Sequence, residues 1–159
     1  MAAIVVFDGE CGLCNGFVAW LIRRDRAGKY LLAGSGGDVG REVIRQADLP
    51  ADIGDSTIVL WRGLVAGADG DGDGDGDGAG NKPPAFTRSD AVIEILAGLP
   101  LPWRLARAGR IVPRLWRDRV YAAVAARRPR IDAEDPACGV PPPALVKLWR
   151  QRLATLEDV

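Results

Sequence analysis

Cys11 and Cys14 constrain this chain more than any other feature. They follow an apolar run, Ile4-Val5-Val6-Phe7, and open an amphipathic one in which Cys14, Phe17, Val18, Leu21 and Ile22 recur at helical spacing. The pattern predicts a short strand over Ile4–Phe7 that delivers a C-x-x-C onto the first turn of a helix ending at Gly28. Unpaired N–H groups at a helix N-terminus favour negative charge. A thiolate is the reactive form of cysteine, and two cysteines one turn apart are close enough to join as a disulfide.

Composition narrows the chemistry. Among 159 residues there are three cysteines and no histidine. The missing histidine removes Ser-His and Cys-His catalysis and every histidine-based metal site. The formal net charge is zero, so global charge selects no partner. The N-terminus lacks a basic n-region, and its apolar run is short for a signal peptide. No stretch approaches the roughly 18 apolar residues that span a bilayer. The expectation is a soluble cytoplasmic protein, and in that compartment cysteines point to redox or metal chemistry and away from a structural disulfide framework.

Further along, Tyr30–Ala33 reads as a strand, and a helix from Asp38 or Val39 to Asp48 turns Val43, Ile44 and Ala47 inward. Thr57–Trp61 is a β-branched strand, starting a hairpin at Arg62-Gly63 that Ala85-Phe86-Thr87 completes. Between its arms lies an insertion, residues 67–82, of repeated Asp-Gly, read as a solvated linker. Asp69 to Gly74 matches the start of a calcium loop, but Gly80 stands where the closing glutamate belongs. Ser89 is expected to cap a helix carrying Val92, Ile93 and Leu96 and closed by Gly98. The order β-α-β-α-β-β-α, with the cysteines at the first strand-to-helix junction, is an α/β thioredoxin-like core over about residues 3–98. The remainder, about 101–156, reads as a wholly helical extension of the same domain. One helix follows Pro113, with Trp116, Val120 and Val124 on one face. Another follows Pro143, with Leu145, Leu148, Trp149, Leu153 and Leu156. Both stripes are read as packing surface. Arg104, Arg107, Arg110, Arg114, Arg117 and Arg119 are read as a solvated face, so no nucleic acid is expected and membrane contact is the lesser reading.

Segments along nearly the whole chain resemble one family. Phe7-Asp8-Gly9-Glu10-Cys11-Gly12-Leu13-Cys14-Asn15 resembles the D-G-x-C-x-x-C signature of the DCC thiol-disulfide oxidoreductases, relatives of thioredoxin. Thr87-Arg88-Ser89-Asp90-Ala91 resembles the family's K-S-x-A segment, with Arg88 where a lysine is common. Val112-Pro113 with Arg117-Asp118-Arg119-Val120-Tyr121 resembles P-x-x-x-R-D-x-V-Y. Ala125 and Arg128 fit A-x-x-R, and Ala137-Cys138-Gly139-Val140-Pro141 resembles a late C-x-x-P. The resemblance implies a thioredoxin-like fold and a redox dithiol. It also allows Arg117 and Asp118 an internal ion-pair role. Thioredoxins place a cis-proline before the third core strand; here Ser56 takes that place.

The expected activity is thiol-disulfide exchange, of the protein-disulfide reductase type, with no bound cofactor. Cys11, nearer the helix start and expected to be the more exposed, is the candidate nucleophile, and Cys14 the resolving thiol. Electrons would come from another dithiol or a low-molecular-weight thiol, and the substrate is a protein or small-molecule disulfide. Gly-Leu between the cysteines, with Asp8 and Glu10 nearby, opposes thiolate formation and predicts a reducing tendency. Gly12, Leu13, Ser56 and Thr57 are candidate substrate contacts. Two roles fit Asp8, proton acceptor for Cys14 or hydrogen-bond anchor of the turn. Two roles also fit Cys138, a third redox thiol or a small buried residue. The competing class is a non-enzymatic binding module whose cysteines hold zinc, with Cys138 and Asp8 as the only supplements, or sense oxidation.

Overall fold

The computed structural model describes residues 3–62, 85–132, 134 and 137–159. The Asp-Gly insertion and the Gly63 side of the hairpin turn lie outside the described residues. Four strands, β1 (Ala3–Phe7), β2 (Tyr30–Gly34), β3 (Val59–Trp61) and β4 (Ala85–Thr87), form one sheet in the order β2-β1-β3-β4. β1 runs parallel to β2, with Val5 opposite Leu32. β3 runs antiparallel to both of its neighbours. The parallel pair requires a crossover helix, which is α1 (Gly12–Arg24). With α2 (Asp38–Gln46) and α4 (Arg88–Gly98) it completes the thioredoxin-like α/β arrangement.

Strand alternation divides the core between the two faces of the sheet. Val5, Phe7 and Leu60 point to α1 and α4, packing with Val18, Leu21, Ile95 and Trp149. Ile4, Val6, Val59 and Trp61 point the other way, onto Val43 and Ile44 of α2. Buried on both faces, β1 is a continuous apolar run without a polar residue, and so it reads clearly in the sequence.

Boundaries differ from expectation where polar side chains decide them. α1 stops at Arg24, four residues before Gly28. Asp25, buried, takes over there. Its carboxylate accepts the Lys29 and Tyr30 N–H groups, both at 3.0 Å, and pairs with Arg152 at 3.2 Å. β3 begins at Val59 because Ile53–Ser56 coil into the one-turn helix α3. The cap of α4 is Thr87. Ser89 instead donates its hydroxyl to Asp118 of α5 (Arg114–Ala125) at 2.5 Å. The face of α4 that is buried is Ala91 and Ile95, with Val92, Ile93 and Leu96 half-buried.

The C-terminal region is not wholly helical. A 3-10 segment, Trp103–Ile111, and α5 pack over α4, but the described residues among 126–142 are irregular before a 3-10 turn, Pro143–Leu145, leads into α6 (Val146–Gln151). Arg117 and Asp118 do not pair with each other: Arg117 reaches Asp90 at 2.6 Å, while Asp118 takes Ser89. The basic segment is thus partly tied to acids of α4, with Arg114 also on Asp90 and Arg110 on Glu94. Beyond α6, Leu32 N–H donates to the Arg152 carbonyl at 2.7 Å, and Ala154 N–H to the Leu32 carbonyl at 2.8 Å. This covers the outer edge of β2, which would otherwise offer unpaired backbone to another chain.

The two tryptophan stripes have different fates. That of α6 is packing surface at Leu145 and Trp149: Trp149 is 1% exposed, meets Phe7 edge-on at 5.8 Å, and donates its indole N–H to the Cys138 carbonyl at 2.7 Å, but the helix ends at Gln151 and Leu156, beyond it, is exposed. That of α5 is not, since Trp116 and Val120 are 60% and 65% exposed. Trp149→Ala is expected to cost about 3–5 kcal/mol in urea unfolding, whereas Trp116→Ala stays within about 0.5 kcal/mol.

Candidate functional site

β1 ends at Phe7, and the turn that follows is built on Asp8. Its carboxylate accepts the Glu10 N–H at 2.9 Å, and its carbonyl accepts the Cys11 N–H at 3.2 Å. Cys11 is the N-cap of α1, with its Sγ accepting the Cys14 N–H at 3.2 Å. A cysteine sulfur thus fills the capping position that Ser or Asp usually holds, in line with the N–H groups that favour negative charge.

Both thiols are free and buried, Cys11 at 1% exposure and Cys14 at 5%. The expectation that Cys11 is the more exposed is therefore corrected, and the cause is the irregular C-terminal segment. Residues 129–131 lie across the turn as a strap. Gly12 N–H donates to the Pro129 carbonyl at 2.9 Å, Ile131 N–H donates to the Glu10 carbonyl at 2.8 Å, and Arg130 bridges to Cys11. The Arg130 guanidinium stands 3.5 Å from both Asp8 and Glu10. Nothing in the sequence periodicity marks such a strap, because it has no apolar repeat.

Cys14, one turn further on, forms part of the wall of an apolar groove of about 520 Å³. Leu13 and Phe17 of α1, Val92 and Ile93 of α4, and Trp116 and Val120 of α5 line it. Here lies the reason for the exposed stripe on α5: it faces the groove. Burial, the neighbouring Cys11 sulfur and the Asp8 charge push the Cys14 thiol up to about 12, against a smaller opposing pull from Arg128. Tyr30, buried with its hydroxyl donating to the Ile95 carbonyl at 2.9 Å, is also pushed up to about 12. Both groups are neutral when protonated, and folding favours that form. Their contribution is complete below the ordinary values of 9.0 and 10.0 and is lost as pH rises towards about 12. The melting temperature is thus expected to fall above pH 9, and a Cys14→Ser, Tyr30→Phe double variant to lose much of that fall.

Asn15 and Arg128 hold the site together, and neither was a candidate on sequence grounds. Asn15 is buried. Its amide donates to the Gly9 carbonyl at 2.8 Å and the Cys11 carbonyl at 2.9 Å, and its Oδ1 accepts the Val140 N–H at 2.7 Å. Gly139 sits against it with φ +68°, where a Cβ would stand 2.5 Å from Asn15 Oδ1 and 2.8 Å from Phe7; only glycine fits there. Arg128 donates to the Ser56 carbonyl at 2.7 Å, which sets its guanidinium on the groove wall beside Cys14.

Leu13 is 44% exposed at the groove, while Gly12 is held under Pro129. Ser56 is exposed at the end of α3, with its hydroxyl on the Ile53 carbonyl. Thr57 is buried, its Oγ1 accepting the Arg88 N–H at 3.1 Å and sharing a 2.9 Å bond with the Tyr121 hydroxyl. Cys138 is half-buried next to Gly139, with its carbonyl on Trp149. Among the described residues, no three Cys, Asp or Glu side chains come together as a metal set. No helix among them is long and apolar enough to cross a membrane.

Comparison with known proteins gives the same direction. The family model of the DCC1-like thiol-disulfide oxidoreductases matches residues 5–134. The uncharacterized protein YuxK of Bacillus subtilis (strain 168) is 29% identical over 144 residues, spanning 91% of this chain and 90% of its own length. No solved structure matches.

Proposed function

The chain belongs to the DCC1-like thiol-disulfide oxidoreductase family, and from that premise we propose that it reduces disulfides through Cys11 and Cys14. The observation that carries this reading is the Cys11 sulfur in the N-cap of α1, receiving the Cys14 N–H one turn from the second thiol. Cys11 as thiolate attacks one sulfur of the substrate, forming a mixed disulfide and releasing the other sulfur as a thiolate that takes a proton from water. Cys14 then loses its proton and attacks the Cys11 sulfur, closing Cys11–Cys14 and releasing the second substrate thiol. Two electrons have passed to the substrate, and a dithiol or low-molecular-weight thiol returns the protein to its reduced form. The first attack requires the 129–131 strap to lift from Cys11, breaking the two backbone hydrogen bonds that pin it.

Asp8 is the proposed proton acceptor for Cys14 in the second step, with Arg128 favouring the thiolate as it forms; both act on the Cys14 charge. The reducing direction and a cytoplasmic setting belong to the same reading, as do Gly12, Leu13, Ser56 and Thr57 as substrate contacts; of the four, Leu13 lines the groove with Cys14. The zinc-holding module has no observation in its favour, since no metal set forms among the described residues.

Dithiothreitol-driven reduction of insulin and of a small disulfide tests the proposal. Catalysed turnover of either is expected, and none with Cys11→Ser. Asp8→Asn keeps an oxygen for the Glu10 N–H and removes the charge. It is expected to slow resolution by roughly 10- to 100-fold at neutral pH, the deficit shrinking as pH rises. An unchanged rate would leave Asp8 only its part in the turn.

A further inference from the structure

We propose that the groove beside Cys14 is the substrate site and that it selects small, uncharged disulfides bearing aryl or branched-alkyl groups. The inference rests on the exchange reading above and narrows it to a substrate class.

Three observations carry it. The groove reaches one thiol of the pair, because Cys14 is part of its wall, one turn along α1 from Cys11 under its strap. Its volume, about 520 Å³, lies within the range of small-molecule sites, roughly 300–1,000 Å³. Finally, the polar side chains on its wall are already engaged within the protein. Ser89 donates to Asp118, Arg117 to Asp90 and to the Val112 carbonyl, and Arg128 to the Ala125 and Ser56 carbonyls. A charged or strongly polar ligand would lose its hydration there and find few partners in return. An apolar one gains contact with Leu13, Val120 and Trp116, which face water without it, and with the half-buried Phe17.

The backbone disfavours an extended polypeptide. A peptide that adds to a sheet or its approach pairs through main-chain N–H and C=O groups. In the run leading into β3, Ile58 N–H donates to the Tyr121 hydroxyl at 3.0 Å, and the Ser56 carbonyl takes Arg128. Side chains from α5 and the turn after it thus occupy the positions a substrate strand would use.

The substrate S–S bond breaks, two electrons come from the Cys11–Cys14 dithiol, the two substrate sulfurs leave as thiols, and dithiothreitol restores the dithiol. The test compares kcat/KM of the full chain for benzyl 2-hydroxyethyl disulfide and for bis(2-hydroxyethyl) disulfide, which share dialkyl disulfide chemistry, with insulin as the polypeptide. The benzyl compound is expected to be favoured about ten- to a hundredfold, the worth of burying one ring. Val120→Glu, at a 65% exposed position, is expected to bring the ratio of the two small disulfides towards one through KM, and Val120→Leu to preserve it. Turnover with a ratio near one in the unaltered protein, a ratio that Val120→Glu leaves untouched, or a preference for insulin would overturn the groove as the selecting site. Absence of turnover with every disulfide would defeat the exchange reading, and this inference with it.

Discussion

Cys11→Ser is expected to lower disulfide reduction by on the order of a thousandfold or more, as removal of a nucleophile does elsewhere. Cys14→Ser is expected to stop the protein at a different point, as a stable mixed disulfide on Cys11. The asymmetry follows from the two environments. Cys11 caps α1 and receives an N–H, whereas Cys14 is held as a thiol by burial and by its neighbour's sulfur. Mass spectrometry after one turnover with a small disulfide reads this directly: an adduct on Cys11 in the Cys14→Ser protein and none on Cys14 in the Cys11→Ser protein. The opposite labelling would assign the attack to Cys14, the thiol that opens on the groove, and make Cys11 the resolving partner under its strap.

Asn15→Ala is expected to be the most damaging change within the dithiol turn that leaves both thiols in place. It removes three hydrogen bonds at once and leaves the Gly9 and Cys11 carbonyls and the Val140 N–H without that partner. Buried groups left unpaired cost far more than an average hydrogen bond contributes. Roughly 2–4 kcal/mol of stability is expected to go, measured by urea unfolding at constant m-value. Because Asn15 links the dithiol turn to residues 139–140, the same variant is expected to expose both thiols to alkylation before global unfolding. A loss below about 0.5 kcal/mol would mean that water replaces the side chain at no cost, which its burial opposes.

The strands were legible because each has a simple physical signature. Ile4–Phe7 and Val59–Trp61 are buried on both faces, so nearly every position is apolar. The place of the dithiol was legible for the same reason, since an apolar strand and a helical repeat flank it on either side. The accessibility of the dithiol was not. Pro129, Arg130 and Ile131 cover Cys11 through backbone hydrogen bonds, which leave no trace in residue type. Ser89 looked like a cap because serine commonly is one, but its hydroxyl had a stronger partner in Asp118, 29 residues away. The spacing of Trp116, Val120 and Val124 predicts packing surface, and it is indeed that of a helix with one apolar face. What periodicity does not say is whether that face meets protein or lines a groove. Asn15 offered a weaker cue: an amide directly after the second cysteine, on the buried side of α1, must find partners for both its ends.

An equilibrium redox titration of the purified protein with thiol trapping and peptide mapping, run alongside a zinc determination, tests the dithiol most directly. One reversible two-electron couple is expected, a Cys11–Cys14 disulfide that forms and reopens with the poise of the buffer while Cys138 stays a thiol. Thiols that never pair across the titration, a disulfide that takes in Cys138, or stoichiometric zinc on the cysteines would contradict that expectation.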